Sequence, residues 1–328
     1  MILNKTHCRG ILPSEMSLKQ VLNVMAYPGM VKKTLTTSTH SRVYLLHGDF
    51  VLKNFVSESR EKTDPTSLEI YDIQAKVGDH PFIEKPFFAY KGDEGEVLIT
   101  GFRQVTIEFT LTAAILEKIL SALLYMDMKG VKHEDLGGYN IGLDKQGDPF
   151  IYDFDKAYYF DWHTLSIDSR LLSGFFLEHS NYVKIDPFNI DLLLNFYFAD
   201  QLIQREENGK KSEAIELYSC FLKYSIQYFI QLQNLLCQQG LSSRYIQAID
   251  QRISSIEAVL GVPELIIATY EDKIYKTLFA ARKWAEVNVE QKGRSELRSY
   301  LELTQRRLFM WDAYKTLRQS IPEKNENL

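Results

Sequence analysis

The sequence predicts an α+β chain with a small β-rich part first and a larger helical part after it. Two observations carry this expectation. Between about residue 30 and 105, short runs rich in β-branched and aromatic residues alternate with turns, interrupted by one helical stretch. Beyond residue 110, apolar residues recur at helical spacing and continue to about residue 318.

The strand expectations are specific. Val31 to Thr37, Arg42 to Leu46 and Phe50 to Phe55 read as three short strands, the last two joined by the tight turn His47-Gly48-Asp49. Ser67 to Val77 carries Leu68, Ile73 and Val77 near helical spacing and stops at Gly78. Two further strands, Phe87 to Tyr90 and Glu96 to Thr100, flank the turn Lys91 to Gly95. The expected first domain, residues 1–105, is therefore a five-stranded sheet plus one helix, preceded by an N-terminal segment.

Residues 106–328 form the helical part. Leu111 to Lys129 places Ile115, Ile119, Leu123 and Met126 on one stripe and ends at Gly130. Ile141 to Leu143 and Phe150 to Tyr152 then bracket the turn Asp144 to Asp148. From about 165 the chain reads as helix, with breaks near Pro187, Gly209, Gly240, Gly261 to Pro263, and Lys292-Gly293. The part from about 210 reads as a helical extension, in which Tyr218, Phe221, Tyr224, Tyr228 and Phe229 form a core-type stripe. Arg306, Arg307, Lys315 and Arg318 read as a solvated basic face.

Composition narrows the classes. With 328 residues, 45% hydrophobic and 25% charged, the chain has ordinary globular make-up. A formal charge of −5 supplies no basic footprint, so nucleic acid is not an expected partner. Polar residues follow Ile2 and Leu3 at once, and Ile215 to Leu236 is broken by Glu216, Lys223, Gln227, Gln231 and Gln233. These features predict a cytoplasmic protein that is not integral to a membrane. Cys8, Cys220 and Cys237 form no metal-type cluster, and the latter two read as buried thiols on helices.

The chemistry concentrates in residues 133–155. A polar loop after an amphipathic helix offers His133, Asp135 and, five residues later, Asn140; a short hairpin then delivers Asp153 thirteen residues further on. Phosphoryl transfer needs a group to orient or deprotonate the attacking hydroxyl and hard oxygen ligands for divalent ions on the phosphates. Asp135 suits the first task, Asn140 and Asp153 the second. Lys53 stands alone inside an apolar strand, where a buried ammonium needs a partner.

His-x-Asp-Leu-x-x-x-Asn-Ile followed by a hairpin and Asp-Phe-x resembles the catalytic and metal-binding loops of the protein-kinase-like superfamily. The resemblance covers about residues 30–175 and implies a bilobal protein-kinase-like fold, with a β-rich N-lobe and a larger helical C-lobe bearing a helical C-terminal extension. It implies catalytic residues Asp135 and His133 in the loop 133–140, Asp135 as base and His133 as structural histidine. Asn140 and Asp153 would hold metal; Asp155, a second carboxylate in the segment 153–155, is a further metal candidate because it adds negative charge that favours a divalent cation. Lys53 would hold the α- and β-phosphates, paired with Glu69 on the following helix. Leu98 to Arg103 would be the hinge beside adenine. The implied cofactors are ATP with Mg2+ or Mn2+.

Several positions depart from that pattern. Between the first two strands stands Thr36-Thr37-Ser38-Thr39-His40-Ser41-Arg42 in place of a glycine-rich loop. Thr37, Ser38 and Thr39 are then the candidate phosphate contacts, or the segment is a polar turn with no ligand. Glu134 replaces the usual arginine, Asp155 the usual glycine, and no Ala-Pro-Glu follows. The aromatic segment Lys156 to Ser169, with Tyr158, Tyr159, Phe160 and Trp162, leads straight into helices. These features resemble bacterial small-molecule and lipopolysaccharide sugar kinases of the Kdo kinase type, or an atypical bacterial effector kinase. The expected function is transfer of the ATP γ-phosphate to a hydroxyl, on a small molecule in preference to a protein. A secreted effector kinase and a nucleotide-binding pseudokinase or scaffold are the alternatives.

Overall fold

The computed structural model describes residues 7–37, 41–56, 65–160, 188–240, 243–292 and 305. They form a mixed α+β protein with six main strands in the N-terminal part and eight α-helices. Contacts group the chain into two units: Met1–Tyr197 with Cys220–Glu257, and Phe198–Ser219 with Ala258–Leu328.

The sheet belongs to the first unit. Its strands are β1 (Cys8–Gly10), β2 (Val31–Thr37), β3 (Ser41–Leu46), β4 (Phe50–Phe55), β5 (Pro86–Gly92) and β6 (Gly95–Gly101), in the order β1-β5-β6-β4-β3-β2. Every neighbouring pair is antiparallel. The expected count of five strands is therefore one short. Three residues of β1 are too few to show alternation in sequence, and the strand exists through its pairing of Cys8 to Gly10 with Tyr90 to Phe88. At the opposite edge, β2 is irregular at two places, between Val31 and Lys33 and between Thr34 and Thr36.

Period-two patterning builds the core beneath the sheet. Tyr44 and Leu46 of β3, Leu52 of β4, Phe88 of β5, and Val97 and Ile99 of β6 bury together. Val21 of the short helix α1 (Leu18–Leu22) and Val24 just beyond it close that cluster. Helix α2 (Ser67–Val77) buries Ile70, Ile73 and Val77, and its Ser67 hydroxyl donates to the Tyr90 carbonyl at 2.9 Å.

Helix α3 (Ala113–Met128) starts at Thr112, whose hydroxyl accepts from the Ile115 N–H. Gly130 follows at φ +65, the left-handed turn that a glycine takes without steric cost. Two small ribbons come next: β7 (Val131–Lys132) with β10 (Tyr158–Tyr159), and β8 (Ile141–Leu143) with β9 (Pro149–Ile151). The remaining helices are α4 (Asn189–Leu193), continued by a π-turn at Leu194–Phe198, α5 (Ala199–Glu207), α6 (Lys211–Gln238), α7 (Ser243–Leu260) and α8 (Pro263–Lys292). The interruptions near 209, 240 and 261 fall where the glycines predict them.

In the first unit, the buried Arg252 pairs with Asp191 at 3.0 Å and lies against the rings of Phe188 and Phe229. The second unit packs Tyr218 against Tyr270, whose hydroxyl reaches Glu206, with Lys211 bridging to Glu271 at 3.0 Å. Tyr218, Phe221, Tyr228 and Phe229 are buried, as a core stripe requires, whereas Tyr224 is half-buried. Cys220 is partly exposed and Cys237 exposed, against the expectation that both are buried, because each lies off the buried stripe of α6. Among the described residues no single helix is long and apolar enough to cross a membrane.

Candidate functional site

Lys53 sits on β4, facing Leu98 of β6 across the ladder, with its side chain 15% exposed. Its ammonium meets two carboxylates from the segment after β9, Asp153 at 2.8 Å and Asp155 in still closer contact. Burial alone would lower the lysine's pKa, but the two carboxylates outweigh it and raise it. Burial would raise Asp153, yet the Lys53 charge and hydrogen bond hold it below the ordinary range. Asp155 is pushed up to about 6, by burial first and then by the neighbouring Asp153.

Backbone pairing explains how a sheet residue and a residue one hundred positions later meet. The segment after α2 runs beside β9: Ile151 N donates to the Phe82 carbonyl at 2.8 Å, and Glu84 N to the Ile151 carbonyl at 2.9 Å. This brings Glu84 to the site, a residue that sequence patterning does not single out. Glu84 accepts from Gln74 at 2.7 Å, Thr100 at 2.8 Å and the Asp153 N–H at 3.4 Å. Burial pushes its carboxyl up to about 7.

Glu69, the expected partner of Lys53, stands elsewhere. It is exposed in the first turn of α2, where Thr66 N donates to it at 2.7 Å while Glu69 N donates to the Thr66 hydroxyl at 3.3 Å. That reciprocal pair is a capping box, so the carboxylate satisfies the helix start rather than the sheet lysine. Asp153 and Asp155 are the carboxylates that meet Lys53. Of the remaining candidates, Thr37 closes β2, and Ser38 and Thr39 lie outside the described residues. So do Trp162 and the basic residues Arg306, Arg307, Lys315 and Arg318.

The loop 133–140 is held from beneath. His133 is fully buried, its Nε2 3.1 Å from the Tyr152 carbonyl and its ring 4.5 Å from that of Phe154. A carbonyl partner requires Nε2 to carry the proton. Burial lowers the His133 pKa, so the ring is the neutral tautomer. The His133 N–H donates to Asn189 Oδ1 at 3.1 Å, and Asn189 Nδ2 donates to the Val131 carbonyl at 2.8 Å. Asn189 in turn donates to the buried Asp127 at the end of α3, which also accepts from Tyr228. Sequence reasoning missed this support, because Asn189 and Tyr228 are far from the loop in the chain.

At the loop's open side Asp135 is half-buried. Asn140 Nδ2 donates to its Oδ2 at 3.1 Å and to its carbonyl at 2.9 Å. Tyr139 donates to its Oδ1 at 2.5 Å. Burial raises the Tyr139 pKa, and the charges of Asp135 and Asp153 add to that, so the phenol is close enough to feel both. Tyr152 N donates to the Asn140 carbonyl at 3.1 Å, which ties the loop's end to the start of the Asp153 segment. Glu134 at φ +65 and Asp153 at φ +63 are both left-handed. Such conformations cost non-glycine residues of order 1 kcal/mol each and gather at functional sites.

Among the described residues no group of three or more His, Cys, Asp or Glu is arranged to hold a metal ion. The hydrogen bonds of Asn140 to Asp135 run through its nitrogen, which leaves its amide oxygen as a donor atom. An amide oxygen plus the Asp153 and Asp155 carboxylates is a hard-oxygen set of the kind magnesium uses when phosphates and water complete its shell. No protein-family model matches the chain, and no curated protein matches it.

Proposed function

We propose that the chain is an ATP-dependent phosphotransferase with a bilobal protein-kinase-like fold, and that within this class it transfers the γ-phosphate to the hydroxyl of a sugar or other small molecule. The observation that carries the reading is the ion pair of Lys53 with Asp153 and Asp155, beside a loop in which Asp135 and Asn140 are hydrogen-bonded to each other. A largely buried lysine on an inner strand of an antiparallel sheet, a pair of carboxylates after a hairpin and a supported Asp–Asn loop are the parts phosphoryl transfer needs.

In this reading Lys53 leaves its carboxylates to hold the α- and β-phosphates. Asp153, Asn140 and Asp155 hold magnesium or manganese, which when bound neutralises phosphate charge. Asp135 orients the acceptor hydroxyl and takes its proton. His133, neutral and bound to the Tyr152 carbonyl, keeps the loop and the Asp153 segment in register. Glu84 is a third carboxyl near Lys53, able to balance its charge once Asp153 and Asp155 turn to other partners. The small acceptor is favoured by the absence of activation-segment features after Asp155.

The test is ATP consumption with magnesium or manganese in the presence of candidate sugars, comparing wild type with Asp135→Ala. Loss of a positioned base predicts a fall of about 10²–10⁴-fold. Equal turnover in the two proteins would overturn the reading. Stabilisation by ATP and manganese without any Asp135-dependent transfer would instead mark a nucleotide sensor.

A further inference from the structure

Tyr139 is 61% exposed, yet its pose is fixed. Its hydroxyl donates to Asp135 Oδ1, and Asn140 occupies the other oxygen of the same carboxylate. The hydroxyl that rests on the assigned base is therefore the chain's own. A seat for the ring is cut into the backbone. A Cβ at Gly137 would lie 2.6 Å from Tyr139 Cε1 and 2.7 Å from Cζ, so only glycine lets the ring lie there. Gly138 lies against Tyr197, where a Cβ would come within 3.3 Å of its ring. A surface tyrosine without a task at this position would need neither the glycine seat nor the carboxylate.

We propose that Tyr139 is a phosphoacceptor in the chain's own transfer reaction, a modification site inside the loop that carries the base. The inference rests on the phosphotransferase reading above. In the step, Tyr139 Oη attacks the γ-phosphorus of ATP and forms the new O–P bond. The bond from that phosphorus to the β,γ-bridging oxygen breaks, and ADP leaves with the electron pair. The phenolic proton passes to Asp135, which returns it to water. Asp135 and Tyr139 are four positions apart in one loop and hydrogen-bonded to each other, so the reaction is within one chain.

The experiment incubates the full chain with ATP and manganese and locates phosphate by peptide mass spectrometry. Expected is phosphate on Tyr139 of wild type, gained at a rate independent of protein concentration, and none on Asp135→Ala. In a mixture of the two proteins the Tyr139 of Asp135→Ala stays unmodified. Gly137→Ala, which unseats the ring, slows the modification roughly tenfold or more, because misplacing a reacting group forfeits proximity. Thermal unfolding with and without ATP and manganese checks that each variant is folded and takes nucleotide.

Asp135-dependent ATP consumption with Tyr139 unmodified, or with phosphate only on other residues, overturns this inference and leaves the phosphotransferase reading standing. Wild type that neither takes nucleotide nor consumes it overturns both.

Discussion

Glu84, half-buried, accepts from a side-chain amide, a hydroxyl and a backbone N–H at one place. Cutting it back in Glu84→Ala strands the buried Gln74 amide and the Thr100 hydroxyl, each at about 1–3 kcal/mol, besides the Asp153 N–H. Denaturant unfolding should show a loss of about 3 kcal/mol or more. Thr100→Val, which removes a single donor and keeps the shape, should cost about 1 kcal/mol. Equal losses in the two variants would refute the picture of Glu84 as the hub. Lys53 was legible because a lone lysine inside an apolar strand demands an explanation. Glu84 was not, because it lies between a helix and a strand where no periodicity marks which way a side chain turns. Glu69 carried a readable warning: Thr66-x-x-Glu69 ahead of an apolar run is the signature of a cap.

Among elements, the turn after α3 has little tolerance. Gly130 is left-handed, and a Cβ there would fall 2.4 Å from the Phe160 carbonyl, whose own N–H donates to the Gly130 carbonyl. Gly130→Ala should cost at least about 1–2 kcal/mol from the backbone conformation alone. It should also loosen the β7–β10 ribbon, seen as faster amide exchange at Val131 and Tyr159, which pair across it. An unchanged melting temperature would contradict this. Long periodic elements were readable with small errors at their ends: α2, β2 and β4 match residue for residue, and α3 differs by a residue or two. Strands β1, β7 and β10, of two or three residues, were not. Their existence depends on a partner strand, not on their own composition.

At the scale of the whole molecule, Asp127 links the catalytic-type loop to helices far along the chain. Burial pushes its carboxyl up to about 7. Among the groups that face it are Lys132 on β7, Tyr158 on β10, Asn189 on α4 and Tyr228 on α6, with Asp191 beyond Tyr228 and paired to Arg252. An acid whose folded pKa exceeds its unfolded value, about 4, binds more protons when folded. Its contribution is thus fully present at low pH and is lost as pH rises from about 4 to about 7, then stays level. Urea unfolding of wild type should show this decline between about pH 4 and 7, and Asp127→Asn should flatten part of it. The same slope in both proteins would count against Asp127. Tyr228→Phe should cost about 1–3 kcal/mol at pH 8, where a charged Asp127 loses a donor, and less at pH 5.

The two ends of the sheet have a consequence for behaviour in concentrated solution. On one side β2 is irregular twice and carries the exposed lysines 32 and 33; on the other, β1 offers three residues, the last of them the left-handed Gly10. A strand arriving from another copy finds at one edge a broken ladder of donors with ammonium groups on it, and at the other too short a ladder to hold it. Among the described residues, the six strands are open at both sides without inviting a seventh. Replacing Lys32 and Lys33 together by valine should turn that first edge into a template, read out as fibril-type dye binding that the parent protein lacks.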